Sequence, residues 1–346
     1  MLKIKKKSVF SIFICAAVFL DAIAGYAGVV ERSQPVNNSI LTIKIVAESG
    51  DSADSLFESL FSQAVKTEVS ISPFRAESDF DKANKSAGKS PVQIGNAARD
   101  LLEKTFGIYR KTRGAFEPMM GTILNIYRFA GEKSGKPPKD EDIAELLPLA
   151  TLDKIEFNAE TGTLFFPHKS QRFDAHPLVR GRILETVSGA IRERGVKSFA
   201  VTLDGDVALG EGETGGKWVV ALEDARKRGS FIGYIELSDT AVSTSGDYER
   251  MFVYNGRRYH HILDPKSGLP TAGVRSATVI TGSAVEASAY SRAFLAMGVP
   301  DALKFCEAEK GIEAIIVDGE GRVHLTSGIK DRFKFGIPPK GFINTY

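Results

Sequence analysis

Two adjacent histidines are the residues of this sequence best suited to proton-transfer chemistry. His260 and His261 lie in the segment "YHHILDPKSGLPT", which follows the polar segment "STSGDYER". Successive side chains of a strand point to opposite faces, so only one of the two imidazoles can face a site. Spacing alone leaves two readings open, a hydrogen-bonded structural histidine, which is the commoner outcome, and a residue that handles a proton.

Acidic and glycine residues suggest two further candidate sites. In "LDGDVALG", Gly205 separates Asp204 from Asp206, and these carboxylates can bind a metal ion or a hydroxyl group. In "RFDAHPLVRGRILE", an acidic residue precedes a helix that we expect to open near Arg180, and helix starts can bind phosphates. Glycine-rich strand ends are also ordinary turns, and helix starts are often simply capped. Neither segment decides between a ligand site and a structural role.

The elements that must position these groups alternate between helical and strand patterns. Apolar residues recur at helical spacing in some segments and alternate with polar ones in others. Asn255-Gly256 is a strong signal for a tight hairpin turn. The predicted helices are 52–69, 96–114, 140–149, 179–194 and 284–298. The predicted strands are 40–48, 155–157, 163–166, 198–210, 218–224, 231–238, 240–245, 250–263, 275–282, 312–317 and 322–326.

Composition limits the class of protein. The net charge is +2 at pH 7 and no basic stripe is present, so a nucleic-acid partner is not expected. Hydrophobic residues make up 43% of the chain, enough for a core of ordinary size. With no repeat and no low-complexity linker, we expect one large domain over residues 39–340, preceded by a flexible polar segment at 28–38.

The first residues have the pattern of an export signal. Four lysines precede an apolar stretch from Val9 to Leu20, and small residues follow it, so we expect residues 1–27 to be a signal peptide and no transmembrane helix to be retained. Ile14 is too large for the small residue that usually precedes a lipoprotein cysteine, so no lipid anchor is expected at Cys15. The exported chain then keeps only Cys306 and no internal disulfide. These features predict a periplasmic protein.

Six blocks of the sequence, in this order, resemble the ApbE family of FAD:protein FMN transferases. They are "SPFRAESDFDKAN", "GAFEPMMGTILNIYRF", "FDAHPLVRG", "LDGDVALG", "STSGDYERMF" and "YHHILDPKSGLPT". The resemblance implies an α+β, T-fold-like architecture of mixed sheets and packed helices in a single large domain. It also implies that FAD is the substrate, that Mg²⁺ assists, and that FMN is attached through a phosphoester to a Ser or Thr in the flavinylation motif of an acceptor flavoprotein.

The same resemblance assigns roles to individual residues. His261 would be the general base that takes the proton of the acceptor hydroxyl. The flavin or the rest of FAD would be contacted by Phe74, Ala115, Phe116, Glu117, Asp174, Arg180 and Ile262.

The sequence departs from the family pattern at the expected metal site. The helix at 284–298 usually carries an Asp with a Thr four positions later, and here these positions hold Ser288 and Arg292. A guanidinium where the metal should lie predicts poor Mg²⁺ binding, and we assign no metal ligand. Three readings stay open. Arg292 and Arg180 hold the FAD diphosphate in place of the ion, the chain binds flavin or a partner without catalysis, or it is a structural domain that binds no flavin.

Overall fold

A long antiparallel sheet organises the molecule, which a computed structural model describes for residues 28–47, 51–127, 129, 135–227 and 229–345. In this part of the chain eight strands make up the main sheet, in the order β1-β2-β6-β7-β10-β13-β14-β15. They are β1 (Gly28–Val36), β2 (Ser39–Ala47), β6 (Phe199–Leu203), β7 (Asp206–Leu209), β10 (Ala241–Gly246), β13 (Val274–Thr281), β14 (Glu313–Asp318) and β15 (Val323–Leu325).

Smaller sheets flank the main one. The strands β16 (Lys334–Phe335), β9 (Phe231–Leu237), β8 (Trp218–Glu223) and β17 (Ile343–Thr345) form a second sheet in that order, in which β17 pairs with β8 in parallel. A third sheet contains β3 (Val92–Gln93), β5 (Thr163–Phe165) and β4 (Glu156–Asn158). A separate hairpin contains β11 (Met251–Tyr254) and β12 (Arg257–His260), joined at the predicted Asn255-Gly256 turn.

The helices of the described residues are α1 (Asp51–Ile71), α2 (Asp79–Lys85), α3 (Asn96–Lys111), α4 (Gly121–Tyr127), α5 (Asp140–Leu146), α6 (His176–Glu193), α7 (Ala284–Met297) and α8 (Val299–Ala308). Helices α1, α6, α7 and α8 pack against strands of the main sheet, whereas α4 and α5 contribute to a separate apolar cluster. Short 3-10 turns lie at Pro118–Met120, Leu147–Leu149, Leu152–Lys154 and Glu213–Gly215. None of the described helices is long and apolar enough to cross a membrane.

The main sheet buries a different set of residues on each face. Leu41, Val201 and Val279 contribute to the larger core cluster, together with residues from α1, α3, α6 and α7. The opposite face packs Val242 and Ile280 with residues of the second sheet, such as Trp218, Ile235 and Leu237. The helical layer and the second sheet therefore cover opposite faces of the main sheet.

The prediction of a flexible segment at 28–38 is wrong. Residues Gly28–Val36 form β1, which pairs antiparallel with β2 at the edge of the main sheet. Most β1 side chains are exposed, so the strand lacks the apolar alternation that signals burial. The turn at Asn37 and Asn38 has φ angles of 53° and 59°, as expected for a two-residue hairpin turn. In the sequence, this Asn-Asn pair was the signal that could have predicted the β1–β2 hairpin.

Two predicted boundaries near the site are also wrong. The segment 198–210, expected to be a buried strand that runs into a glycine-rich turn, is a hairpin of β6 and β7, because Asp204 and Gly205 both have positive φ and reverse the chain. The helix expected to open near Arg180 begins at His176 instead. Gly181 lies within it, and a side chain there would place its Cβ 2.6 Å from Val285 Cα. The glycine is needed for the close packing of α6 against α7, and the structure gives it no role at a helix start.

The expected end of the domain at residue 340 is too early. Strand β17 (Ile343–Thr345) follows that position, and Ile343 is buried in the core between the sheets. The predicted signal peptide, residues 1–27, lies outside the described residues.

Candidate active site

A small cavity brings several of the predicted site residues together. It has a volume of about 20 Å³ and is lined by Ala115, Glu117, Met120, Leu124, Asp174, His261, Leu263, Pro265 and Arg292. A cavity of about 630 Å³ lies beside it and shares Ala115, Glu117 and Pro265 with it. Its lining includes the basic residues Lys111, Arg113, Lys266 and Lys304. The two cavities together offer room of the size that a cofactor-sized ligand requires.

The two histidines have different environments, as strand alternation predicts. His260 ends β12, and its Nε2 lies 3.0 Å from the carbonyl oxygen of Thr271, a structural contact. His261 lines the small cavity, and its buried Nδ1 has no hydrogen-bond partner among the described residues. Its Nε2 lies 3.8 Å from Glu249 Oε2. Of the pair, His261 is the residue whose imidazole is available to a ligand.

The charge around His261 keeps its imidazole neutral. Burial lowers the pKa of His261 well below its ordinary value, and the neighbouring cations Arg292 and Arg250 lower it further. A neutral imidazole at physiological pH has a free lone pair and can accept a proton. The geometry and the charge of the site are therefore both compatible with a general base.

Arg292 and Asp174 form an ion pair in the wall of the cavity. Arg292 Nη1 lies 2.8 Å from Asp174 Oδ2, and both side chains are largely buried. Burial alone would raise the pKa of Asp174, but the adjacent Arg292 and His176 lower it, so this carboxyl group is ionised. The backbone N–H of His176 also donates to Asp174 Oδ1. Asp174 is thus held by two partners at the point where α6 begins.

A second ion-pair group, formed by Arg180 with Asp204 and Asp206, does not line the small cavity. Arg180 Nη1 lies 2.6 Å from Asp204 Oδ2, and Arg180 Nε lies 3.2 Å from Asp206 Oδ2. Ser288 Oγ donates to the same Asp206 oxygen at 2.6 Å. Because the Arg180 guanidinium is buried against two carboxylates, this arrangement gives no support for its predicted contact with the FAD diphosphate.

Four other residues that were predicted to contact FAD differ in burial and in whether they line a cavity. Phe116 and Ile262 are buried in the larger core cluster, so their side chains pack against the protein interior. Phe74 is 56% exposed, and its ring lies 5.7 Å from that of His176. Ala115 lines both cavities. Of these four, Ala115 is the residue that the geometry places next to a ligand space.

Glu117 lines both cavities, but its carboxylate already has partners. Its Oε1 accepts from the backbone N–H of Met119 at 2.9 Å, and its Oε2 accepts from that of Leu152 at 3.0 Å. Burial raises its pKa to about 7, although these two hydrogen bonds oppose the rise. Glu117 therefore fixes two backbone segments at the wall of the site.

The residues at the expected metal positions do not fit Mg²⁺. Ser288 donates its hydroxyl to Asp206, and Arg292 places a guanidinium beside Asp174. A fixed cation about 4 Å from a divalent ion is repelled by several kcal/mol even at an effective dielectric constant near 20. Within the described ranges, no cluster of three or more His, Cys, Asp or Glu side chains is arranged to hold a metal ion.

Two charged residues of the site were missed at the sequence level. Glu249 faces His261, and the backbone carbonyl of Arg250 accepts from the His261 N–H at 3.1 Å. Both belong to the "STSGDYER" segment, which the sequence singled out only as a block. Sequence spacing could not identify them, because the turn that brings them to His261 depends on the pairing of β11 with β12.

The comparisons with known proteins agree with this fold. The model of the ApbE family matches residues 38–316. The FAD:protein FMN transferase of Klebsiella pneumoniae is 27% identical over 75% of this chain and 81% of that protein. The corresponding protein of Treponema pallidum is 24% identical over 93% of this chain and 94% of its own length.

Solved structures show the same architecture. The ApbE protein of Thermotoga maritima superposes with a TM-score of 0.80 and 26% identity, covering 88% of this chain and 99% of that one. The apo flavinyl transferase ApbE of Pseudomonas stutzeri gives a TM-score of 0.78 and 26% identity, with coverage of 91% and 100%. The predicted α+β single-domain fold is confirmed. The chain belongs to the ApbE family.

Proposed function

We propose that this protein is an FAD:protein FMN transferase. The acceptor hydroxyl oxygen would form a bond to the flavin-side phosphorus of FAD, and the bond from that phosphorus to the bridging oxygen would break. FMN would then be joined to the acceptor through a phosphoester, and AMP would leave. Membership of the ApbE family and the names of the similar proteins support this assignment. The observation that carries it is the neutral, unpartnered imidazole of His261 in a cavity with Arg292.

His261 would take the proton of the acceptor Ser or Thr hydroxyl as the hydroxyl oxygen attacks. Its Nδ1 is buried and has no partner in the described part of the chain, so it is free to accept that proton. Glu249, with Oε2 3.8 Å from Nε2, would stabilise the imidazolium that results. A positioned base of this kind contributes about 10²–10⁴-fold to a rate.

The larger cavity would accommodate the rest of FAD. Its volume is about 630 Å³, which suits a cofactor-sized ligand. Its lining holds four basic residues and also four acidic ones, Glu117, Asp264, Asp301 and Glu309, so the support for this placement is the size of the cavity and not its charge. Ala115 and Pro265 belong to both cavities, so a ligand in the larger one can extend toward His261. In this placement Glu117 supports the wall of the site through its backbone hydrogen bonds.

The direct test is transfer to an acceptor peptide. Purified protein would be incubated with FAD and a peptide that carries a Ser/Thr flavinylation motif, and FMN-peptide and AMP would be measured by mass spectrometry. We expect FMN-peptide and AMP in equal amounts from the wild type, and a loss of about 10²–10⁴-fold in His261→Ala. The matched control is His260→Ala, which removes the neighbouring histidine and should lower stability while leaving transfer per folded molecule largely intact.

A flavin-binding protein without transfer activity is the second candidate. The observation that favours it is the replacement of a metal site by Ser288 and Arg292. If the wild type binds FAD and neither AMP nor FMN-peptide forms with or without Mg²⁺, this second function is correct and transfer is excluded.

The acceptor is proposed to be an exported or membrane flavoprotein, and this protein itself to be periplasmic. The support is the signal-like pattern of residues 1–27. Cell fractionation followed by mass spectrometry of the intact protein tests this directly. We expect a periplasmic protein that has lost this segment. A cytoplasmic protein that retains it would contradict the proposal.

A further inference from the structure

Three arginines contribute positive charge at His261, and they differ in how many ion-pair partners each guanidinium group already has. Arg180 is 5% exposed and paired with Asp204 and Asp206. One guanidinium nitrogen of Arg292 donates to Asp174, and Arg292 also lines the small cavity. Arg250 is exposed, and its side chain makes no ion pair or hydrogen bond with another described residue. Arg292 and Arg250 therefore keep donors that a ligand can use.

These two arginines act on the same space. Arg292 lines the small cavity together with His261 and Asp174. The backbone carbonyl of Arg250 accepts from the His261 N–H at 3.1 Å, which places the Arg250 segment next to His261. Both arginines contribute positive charge at His261 and at Asp174, and a positive field there favours an anion.

The Asp174–Arg292 pair holds the guanidinium in place. With Nη1 bound to Asp174 Oδ2 at 2.8 Å, the planar group has a fixed orientation before any ligand arrives. Arginine forks match the oxygens of a phosphate group and bind them with two parallel hydrogen bonds. A prepositioned guanidinium can therefore provide the positive charge that a metal ion would otherwise bring to a phosphate.

We propose that Arg292 and Arg250 bind the diphosphate of FAD directly, so that FAD binds to this protein without a divalent cation. This inference rests on the proposed function only for the choice of FAD as the ligand. It identifies Arg250 as a ligand-binding residue. It also explains why Ser288 and Arg292 stand where the family usually has Asp and Thr, because Arg292 would supply the positive charge that a metal ion otherwise supplies. In this arrangement Ser288 secures Asp206, which remains the partner of Arg180 and is not released to a metal.

The test measures equilibrium binding of FAD by its fluorescence, and of ADP by calorimetry, in EDTA and in excess Mg²⁺. ADP shares the diphosphate and lacks the flavin. For the wild type we expect dissociation constants that agree within about twofold between the two conditions. A tenfold or larger gain in affinity on adding Mg²⁺ would overturn the proposal.

Variants separate the contribution of each arginine. Arg250→Gln should weaken FAD and ADP binding in EDTA by about tenfold, and because Arg250 is exposed and unpaired, this change should not affect folding. Lys310→Gln, which removes another surface cation, is the matched control and should bind as the wild type does. Unchanged binding by Arg250→Gln would contradict its assignment.

The double variant Ser288→Asp with Arg292→Thr restores a carboxylate and a hydroxyl at the two positions. We expect its FAD binding to be weak in EDTA and to recover by tenfold or more with Mg²⁺. Circular dichroism would check that it is folded. If it does not fold, Arg292→Lys replaces it, since lysine keeps the charge and loses the fork, and it should bind FAD several-fold more weakly than the wild type. Wild-type affinity in Arg292→Lys would contradict the proposal.

The result is independent of catalysis. FAD binding in EDTA by a protein that forms no AMP from FAD and the acceptor peptide, with or without Mg²⁺, would support the arginine site and reject the transferase. FMN transfer together with FAD binding that strictly requires Mg²⁺ would support the transferase and reject the arginine site.

Discussion

The two faces of the main sheet differ in the polar residues that they bury, although the same strands build both. Along β10, Val242 joins the apolar core that includes the second sheet. Its neighbour Ser243 and the next residue on the same side, Ser245, face the helices and hydrogen-bond to Ser291 of α7. In β7, Val207 joins the same apolar core, while Asp206 faces the helices and binds Ser288. The face covered by the second sheet provides packing, and the helical face also contains the polar groups near His261.

The difference concerns the free energy of folding. Burying carboxylate and guanidinium groups costs the free energy of their hydration, and the attraction between the paired charges rarely exceeds that cost. A core needs no such groups for folding, as the opposite face shows. The proposed function would account for the Asp174–Arg292 pair, which lines the small cavity, whereas no ligand is assigned to the pairs of Arg180.

The largest stability effect should follow from removing a buried charge on the helical face. In Asp206→Ala, Arg180 remains buried with only Asp204, and Ser288 loses its acceptor. We expect a loss of about 3–5 kcal/mol in the free energy of unfolding, measured by urea denaturation. The control is Asp204→Ala, which should cost less because Asp204 is more exposed and Arg180 keeps Asp206. A loss below about 1 kcal/mol in Asp206→Ala would show that the pair is not needed for folding.

A pH effect should follow from Glu117, whose pKa is raised from 4.5 to about 7 mainly by burial. The folded protein holds this proton more tightly than the unfolded chain, so the stabilisation is complete below pH 4.5 and is lost as pH rises through about 7. The shift corresponds to at most about 3 kcal/mol. Glu117→Gln should remove this part of the pH dependence in urea titrations between pH 4.5 and 8. An unchanged slope would mean that Glu117 ionises normally.

The smallest effect is expected on the apolar face. Ile235→Val removes one methylene from the core that includes the second sheet and should lower the free energy of unfolding by about 0.5–1.5 kcal/mol. FMN transfer per folded molecule should stay at the wild-type level, since none of the described residues that line the small cavity belongs to this cluster. If transfer falls along with stability, the two faces are coupled and the comparison between them no longer holds.

The sequence predicted the regular elements well where one face of an element is apolar. The helix expected at 284–298 is α7 (Ala284–Met297), and the strand expected at 40–48 is β2 (Ser39–Ala47). It failed for the exposed edge strand β1 and for the short strand β17, because partly exposed or very short strands carry little hydrophobic pattern. Helix α8 (Val299–Ala308) was also missed.

The sequence predicted some members of the candidate site but not their pairing. Of the residues that it named, Ala115, Glu117, Asp174, His261 and Arg292 line the small cavity. Strand alternation indicated that only one of the two histidines could face a site, and the family resemblance selected His261. The sequence could not show that Arg180 is bound by Asp204 and Asp206, since these residues meet only when α6 packs beside the β6–β7 turn. It also could not show that Arg292 binds Asp174, which lies 118 positions away in the chain.

The central claim is that the polar groups around His261 form the site where FAD reacts. A crystal structure of the protein grown with FAD in the presence of EDTA tests this most directly. We predict that the flavin-side phosphate lies between Arg292 and Arg250, with space for a hydroxyl oxygen between the phosphorus and His261 at about 3–3.5 Å from each reacting group. A diphosphate bound elsewhere, for example at Lys111 and Lys304, which line only the larger cavity, would contradict the account.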